Sequence, residues 1–120
     1  MSRQKEIGNK GEELAQEHLR TLGYQILETN WRHHYYEIDI IALDRDELVI
    51  VEVKTRSTDS YEHPAEAISN QKIRFLVNAA EAYILEKDSN RDTRFDVISI
   101  IFYGQNFELE HFKDAFYPTS

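Results

Sequence analysis

The sequence predicts a mixed α/β fold, in which helices flank a central mixed β-sheet. The main observation is the order of the hydrophobic patterns: a helix, three strands, a second helix and two further strands, or α-β-β-β-α-β-β. A second observation is that several of these strands are apolar on both faces, which is typical of strands covered on both sides. No repeat, low-complexity tract or linker interrupts residues 1–120, so we expect one domain.

The first predicted helix covers residues 9–22. Its apolar side repeats at helical spacing and consists of Leu14, Ala15, His18, Leu19 and Leu22. Asn9 and Glu12 have the spacing of a capping box, and Gly23 is a residue type at which helices commonly end. A strand over residues 24–30 follows, and residues 31–36 (WRHHYY) are expected to form a loop.

Residues 37–44 and 47–54 indicate two strands joined at Arg45 and Asp46. This pair is not a favoured two-residue turn, so a longer loop with the same centre stays open. A hairpin symmetric about that centre places Asp39 opposite Glu52, and places Glu37 and Lys54 on the same side. That side continues with Ile41, Leu43, Leu48 and Ile50, and the other side consists of Ile38, Ile40, Ala42, Val49, Val51 and Val53.

The second half of the chain predicts one long helix and two strands. The helix is expected from Pro64 to about Lys87, because proline suits the first helical turn and apolar residues follow at helical spacing. Residues 95–103 (FDVISIIFY) then indicate a strand that is apolar on both faces, and a weaker strand covers residues 107–112. Arg94 and Asp96 flank the start of the first of these strands and are expected to form a structural pair.

Composition excludes several classes of function. Cysteine is absent, which excludes disulfides, thiolate zinc sites and a cysteine nucleophile. No apolar run spans a membrane and the N-terminus does not resemble a signal peptide, so we expect a cytoplasmic protein without a membrane partner. The formal net charge of −8 argues against tight non-specific binding to nucleic acid, although a local field can differ from the mean.

The residues that carry chemistry lie at one end of the predicted hairpin. Facing like charges destabilise a sheet, so Asp39 and Glu52 require a shared proton, a cation or Lys54. Two carboxylates with a backbone carbonyl and waters suit the hard ions Mg²⁺ and Mn²⁺. Lys54 would hold or deprotonate a water or neutralise a phosphate, which suffices for metal-assisted phosphodiester hydrolysis. A structural salt bridge from Lys54 to Glu37 or Glu52 is the competing interpretation.

Five motifs occur in order along nearly the whole chain: GNKGEELA, NWR, EIDII, VEVKTR and RFDVI. Together they resemble the YraN-type family of small, largely uncharacterised bacterial proteins, which is similar in fold to restriction endonucleases and archaeal Holliday-junction resolvases. The resemblance implies a restriction endonuclease-like core with an acid on the first helix and a D…E-x-K pattern. By this resemblance, Glu12 matches the acid on the first helix, and Asp39, Glu52 and Lys54 match the D…E-x-K pattern. Tyr36 departs from the glycine usual in the family and is expected to narrow access to Glu37.

The remaining candidates have two interpretations each. Glu12 is either the helix-borne acid or the capping partner of Asn9. Glu37 is expected to support the site as a partner of Lys54 rather than to bind metal itself. Three basic residues are candidates for nucleic-acid binding, although such residues usually form a solvated face: Arg32, Arg56 and Lys72. The aromatic residues 31–36 either stack on bases or pack at a sheet edge.

Three functions stay open on the sequence alone. The first is a Mg²⁺- or Mn²⁺-dependent nuclease that acts on DNA, with branched DNA among its candidate substrates. The second is a non-catalytic nucleic-acid-binding module, and the third is a structural or partner-binding protein that retains the fold. Resolvase-like enzymes act as dimers, so the resemblance also raises a homodimer, although no exposed apolar strip in the sequence requires one.

Overall fold

The computed structural model describes residues 3–57 and 68–116. The elements are α1 (Arg3–Thr21), β1 (Gln25–His33), β2 (Tyr36–Asp44), β3 (Glu47–Ser57), α2 (Asn70–Lys87), β4 (Thr93–Tyr103) and β5 (Asn106–Phe112). This order confirms the predicted fold class and both C-terminal strands. In this part of the chain, neither helix has the length and apolar character needed to cross a bilayer.

The five strands form one mixed sheet in the order β1-β2-β3-β4-β5. Strands β3 and β4 are parallel, and the other neighbours are antiparallel. A parallel pair needs a crossover connection, and α2 lies in it. Helix α1 packs against β1 and β3, and α2 packs against β1 and β2. The two helices belong to separate hydrophobic clusters, so they cover opposite faces of the sheet.

Helix α1 begins earlier than the sequence indicated. It starts at Arg3, so Asn9 lies within the helix and not at its cap. The amide of Glu12 therefore has an intrahelical acceptor available, and the capping interpretation of Glu12 is wrong. The predicted end is confirmed: Gly23 has a φ of +91°, and its amide donates to the carbonyl of Arg20 at 2.9 Å.

Residues 31–36 form the tip of a hairpin and not the predicted loop. Strand β1 continues to His33, which pairs with Tyr36 at the start of β2. His34 takes a φ of +58° in the two-residue turn between them. Trp31 packs edge-on against Tyr83 of α2, with 5.2 Å between ring centroids. This contact with a distant helix helps to keep the segment in the sheet, and the local sequence did not reveal it.

The β2–β3 hairpin has the predicted register. Asp44 pairs with Glu47 and Ile40 pairs with Val51. Arg45 and its neighbour therefore form a two-residue turn, and Arg45 reaches it with a φ of +59°. The longer loop that the sequence left open between β2 and β3 is therefore excluded.

The predicted alternation along β2 breaks at Asp39. Ile38 belongs to the same cluster as Ile41, on the α2 face, whereas Ile40 belongs to the α1 cluster. The assignment of Ile38 to the face of Ile40 is therefore wrong. The break coincides with the end of the regular β2–β3 pairs, where the Asp39 side chain bonds to the main chain of β3.

Helix α2 begins at Asn70, so a continuous helix from Pro64 is wrong, and Pro64 itself lies outside the described residues. Ser69 is the N-cap, with extended dihedrals of φ −66° and ψ 155°. Its hydroxyl oxygen accepts a hydrogen bond from the amide of Lys72 at 3.1 Å. The helix ends at Lys87, as predicted.

Candidate active site

Carboxylates from three elements lie around the end of the β2–β3 ladder, where Asp39 interacts with Glu52 and with Glu12. Glu12 lies on α1, Asp39 on β2 and Glu52 on β3. Asp39 Oδ2 accepts a hydrogen bond from the backbone nitrogen of Val53 at 2.8 Å. The Asp39 side chain thus acts as the acceptor for a β3 amide, which fixes its carboxylate beside Glu52.

Glu52 is buried, with 7% of its surface exposed. Its Oε2 atom lies 3.2 Å from Nζ of Lys72, yet that oxygen accepts no hydrogen bond of acceptable geometry. Burial, a hydrogen bond to Asp39 and the negative charge of Asp39 raise the pKa of Glu52 to about 8, and Lys72 opposes this rise. Near neutral pH the ion-free pair of acids therefore retains a proton.

Glu12 approaches Asp39 from the α1 side of the sheet, whereas Glu52 contacts Lys72 of α2 on the other face. Its Oε1 atom is buried and has no hydrogen-bond partner among the described residues. Burial, followed by the charges of Asp39 and Glu37, raises the pKa of Glu12 to about 7. Glu12 is thus electrostatically coupled to the acids of β2.

Gly11 allows this close approach of α1. A Cβ atom added at Gly11 would lie 2.2 Å from Oγ1 and 2.9 Å from Cγ2 of Thr55 on β3. Carbon atoms do not approach other heavy atoms so closely, so a larger residue would push the helix from the sheet. The glycine directly before Glu12 therefore positions the helix-borne acid over the strand that carries Glu52.

The carboxylates have different partners from those predicted. Arg32, and not Lys54, pairs with Glu37, at 3.1 Å between Nη2 and Oε2. Glu52 is approached by Lys72. Within the described chain, Lys54 forms no ion pair with Glu37 or Glu52, so the structural salt bridge expected as the competing interpretation is not formed. Lys54 is half-buried on β3.

The basic candidates are distributed around this cluster. Lys72 reaches Glu52 from α2 and keeps 45% of its side chain exposed. Arg32 lies on β1 with 73% of its side chain exposed. Arg56 is half-buried on β3, where it is paired in register with Ile101 of β4. Contacts of these residues with phosphates stay predictions.

The donor chemistry of the cluster suits a hard divalent ion. Asp39 and Glu52 offer carboxylate oxygens, the ligands preferred by Mg²⁺ and Mn²⁺. The buried Oε1 of Glu12 has no hydrogen-bond partner among the described residues, whereas Oε2 of Glu52 faces the ammonium of Lys72, which an ion would have to displace. Over residues 3–57 and 68–116, no three His, Cys, Asp or Glu side chains converge closely enough to hold an ion. Asp39 and Glu52, which interact directly, are the pair that could hold an ion, and an ion there would need further ligands such as water.

A second polar network occupies the α1 face of β4. Asp96 is fully buried and accepts a hydrogen bond from Nε of Arg94 at 2.8 Å, which confirms the predicted structural pair. Asp96 is also 2.7 Å from His111 of β5 and accepts a bond from the Asp114 amide at 3.0 Å. His111 in turn lies 3.1 Å from His18. The sequence analysis placed His18 on the apolar side of the first helix without a polar partner, and it missed His111, although the alternation of β5 directs His111 toward α1.

Together the mixed five-stranded sheet and the helices on its two faces define a mixed α/β protein, as the sequence predicted. Residues 11–100 match the model of the uncharacterised protein family UPF0102. The chain belongs to this family, which is the YraN-type family that its motifs resemble.

Relatives in this family cover almost the whole chain. A UPF0102 protein of Parabacteroides distasonis is 44% identical over 117 residues, which are 98% of this chain and 97% of the relative. One from Flavobacterium psychrophilum is also 44% identical over 117 residues and covers 98% of both chains. One from Persephonella marina is 43% identical over 110 residues, or 91% of both chains.

Proposed function

We propose that this protein is a Mg²⁺- or Mn²⁺-dependent nuclease that hydrolyses phosphodiester bonds in DNA, with branched DNA among its candidate substrates. The observation that carries the proposal is the cluster of the buried Glu52 with the half-buried Asp39 and Glu12, in which one oxygen each of Glu12 and Glu52 accepts no hydrogen bond of acceptable geometry. Burying like charges without hydrogen-bond partners costs folding free energy. Acids with strongly raised pKa values, held together at the end of a sheet, are typical of functional sites.

Each residue of the cluster has a role that follows from its position. Asp39 and Glu52 hold the ion directly, and Glu12 does so through water. The ion, when bound, neutralises charge on the phosphate and lowers the pKa of a water molecule. Lys54 lies two residues after Glu52 on β3, where it orients the attacking water or contacts the phosphate. Lys72 restrains the Glu52 side chain from α2.

Binding of the ion is linked to pH through Glu52. A carboxylate must be ionised to act as a ligand, and the pKa of Glu52 is raised to about 8 in the ion-free protein. Affinity for the ion is therefore expected to increase as the pH rises through neutrality, with release of a proton on binding.

A cleavage assay tests the proposal. Labelled single-stranded, duplex and four-way-junction DNA is incubated with the protein and Mn²⁺, and products are resolved on a denaturing gel. We expect cleavage by the wild type and none above background for Asp39→Asn, Glu52→Gln or Lys54→Met. Glu12→Gln should also reduce cleavage. Its matched control is Glu13→Gln, because Glu13 is exposed on the same helix. Cleavage that persists in Asp39→Asn and Glu52→Gln would contradict the assignment.

A non-catalytic nucleic-acid-binding module is the second candidate. The contact of Lys72 with Glu52 at 3.2 Å favours it, because a paired acid is less available to an ion. This candidate predicts DNA binding without cleavage. It also predicts that Arg56→Ala weakens binding and reduces its salt dependence, measured as the slope of log affinity against log salt concentration.

A further inference from the structure

A row of side chains on α2 connects the acid cluster with the tip of the β1–β2 hairpin. Lys72, Phe75 and Asn78 follow at three-residue spacing and so lie on one side of the helix. Lys72 contacts Glu52, whereas the ring of Phe75 packs on Tyr36, with 5.5 Å between centroids. Asn78 donates a hydrogen bond to the Tyr36 hydroxyl at 3.4 Å. The aromatic pair therefore lies about one helical turn from the lysine beside the acids.

This aromatic pair is accessible from solvent. Phe75 is 41% exposed and Tyr36 is half-buried. Beside them, Tyr35 in the hairpin turn is 97% exposed. The core contacts of α2 are made by other residues, such as Leu76 and Ala79, which are almost completely buried. Phe75 thus meets the sheet through Tyr36 at the hairpin tip, while much of the residue stays open to solvent.

A cation lies beside the aromatic pair. Lys72 precedes Phe75 by one turn of α2. Its ammonium contacts the carboxylate of Glu52, and 45% of its side chain stays exposed. Aromatic faces combined with neighbouring cations are typical of surfaces that bind single-stranded nucleic acid.

The charge of the protein favours unpaired nucleotides over a duplex. Duplex binding depends on neutralising many phosphates, but the net charge is −8 and the ammonium of Lys72 already contacts the carboxylate of Glu52. Stacking on an aromatic ring needs no phosphate neutralisation. It does need a base whose face is open, which an intact duplex does not offer.

We infer that Phe75 and Tyr36 form a subsite that stacks on an unpaired base of the substrate, next to the acid cluster. The inference rests on the proposed function for the class of substrate and adds a preference within it. A strand with unpaired nucleotides, at a single-stranded end or a branch point, binds more tightly than a continuous duplex.

Fluorescence anisotropy tests the subsite directly. A labelled single-stranded oligonucleotide of mixed sequence is titrated with ion-free protein in EDTA, so that no cleavage occurs, and the same sequence is measured as a duplex. We expect Phe75→Leu to weaken single-strand binding by at least about fivefold, since one stacking contact is lost. Tyr36→Leu should act in the same direction, and Phe75→Tyr should retain the wild-type affinity.

Phe107→Leu is the matched control. Phe107 is 44% exposed, close to the value for Phe75, and lies on β5, where it packs on Phe102. The control should bind like the wild type. Circular dichroism and thermal unfolding of each variant separate loss of the subsite from loss of the fold.

The inference is overturned if Phe75→Leu binds like the wild type, if Phe107→Leu weakens binding equally, or if the wild type does not bind the single strand. Its failure is distinct from failure of the proposed function. Cleavage that requires Asp39 but not Phe75 keeps the nuclease and rejects the subsite. Binding that requires Phe75 without any cleavage keeps the subsite and rejects the nuclease.

Discussion

Asp96 and Glu52 are the two buried acids of the described chain, and they lie almost side by side in very different surroundings. They occupy the adjacent parallel strands β4 and β3, where Asp96 is paired in register with Val51, the residue before Glu52. Strand alternation directs Asp96 to the α1 face and Glu52 to the α2 face. Both acids are buried, so the difference between their pKa values reflects the groups that surround them.

The partners reverse the effect of burial at one acid and not at the other. Burial alone would raise the pKa of Asp96, but hydrogen bonds from His111, Arg94 and the Asp114 amide lower it to about 2. At Glu52, burial and the neighbouring acid act in the same direction, and the pKa rises to about 8. A buried acid with its hydrogen bonds complete stabilises the fold, whereas a buried acid that lies beside a second acid and has a raised pKa is typical of a functional site.

The strongest way to break this comparison is to neutralise each acid. Asp96→Asn leaves the guanidinium of Arg94, whose side chain is 11% exposed, without its main counterion. We expect the free energy of unfolding to fall by about 3 kcal/mol or more. Glu52→Gln should increase it, or lower it by less than about 1 kcal/mol, because the neutral amide removes the cost of keeping the buried Glu52 carboxyl protonated at this pH. Urea denaturation in EDTA at neutral pH measures both, and an equal loss for the two variants would contradict the distinction.

The pH dependence of stability sharpens the comparison, because the two acids act with opposite sign. The pKa of Asp96 falls from 3.8 to about 2 on folding, so it contributes about 2 kcal/mol above pH 3.8 that is lost as the pH falls toward 2. The pKa of Glu52 rises from 4.5 to about 8, so its contribution is present below pH 4.5 and is lost as the pH rises toward 8.

Urea denaturation of ion-free protein across this pH range measures both effects. Glu52→Gln should remove much of the decrease above pH 4.5 and leave the acid limb unchanged. If the free energy of unfolding is constant between pH 4.5 and 8 for both the wild type and Glu52→Gln, then Glu52 is ionised without cost. That result would contradict the raised pKa of Glu52.

The smallest expected effect concerns the approach of α1 to the site. Gly11→Ala introduces a contact of 2.2 Å with Thr55, so we expect a loss of about 1–2 kcal/mol from crowding. Gly8→Ala is the matched control, since nothing lies within 4 Å of the added atom, and it should stabilise the helix by about 0.5–1 kcal/mol. Thermal unfolding compares the two. Equal effects would show that the glycine before Glu12 is not needed for packing.

Local sequence patterns predicted those features that depend on near neighbours. The register of the hairpin at Arg45 follows from alternation and a symmetric turn, and the end of α1 follows from Gly23. The pairing of Arg94 with Asp96 is likewise local, because the two residues lie on one side of a single strand.

The partners of the site residues could not be predicted in the same way. The contact of Lys72 with Glu52 depends on where α2 starts, and the serine cap at Ser69 competed with an earlier proline signal. The pairing of Arg32 with Glu37 depends on β1 continuing through an apparent loop. These contacts join separate elements, and composition or periodicity within one segment does not specify them.

The most direct test of the central claim is an amide NMR titration with Mn²⁺, which broadens signals near the bound ion even when affinity is low. We predict selective loss of signals around Glu12, Asp39 and the Glu52–Lys54 segment, with the region around Asp96 affected less. Glu52→Gln should require more Mn²⁺ for the same loss. Broadening scattered over the acidic surface, with the Glu12, Asp39 and Glu52 cluster spared, would contradict the claim that the buried acids form an ion site.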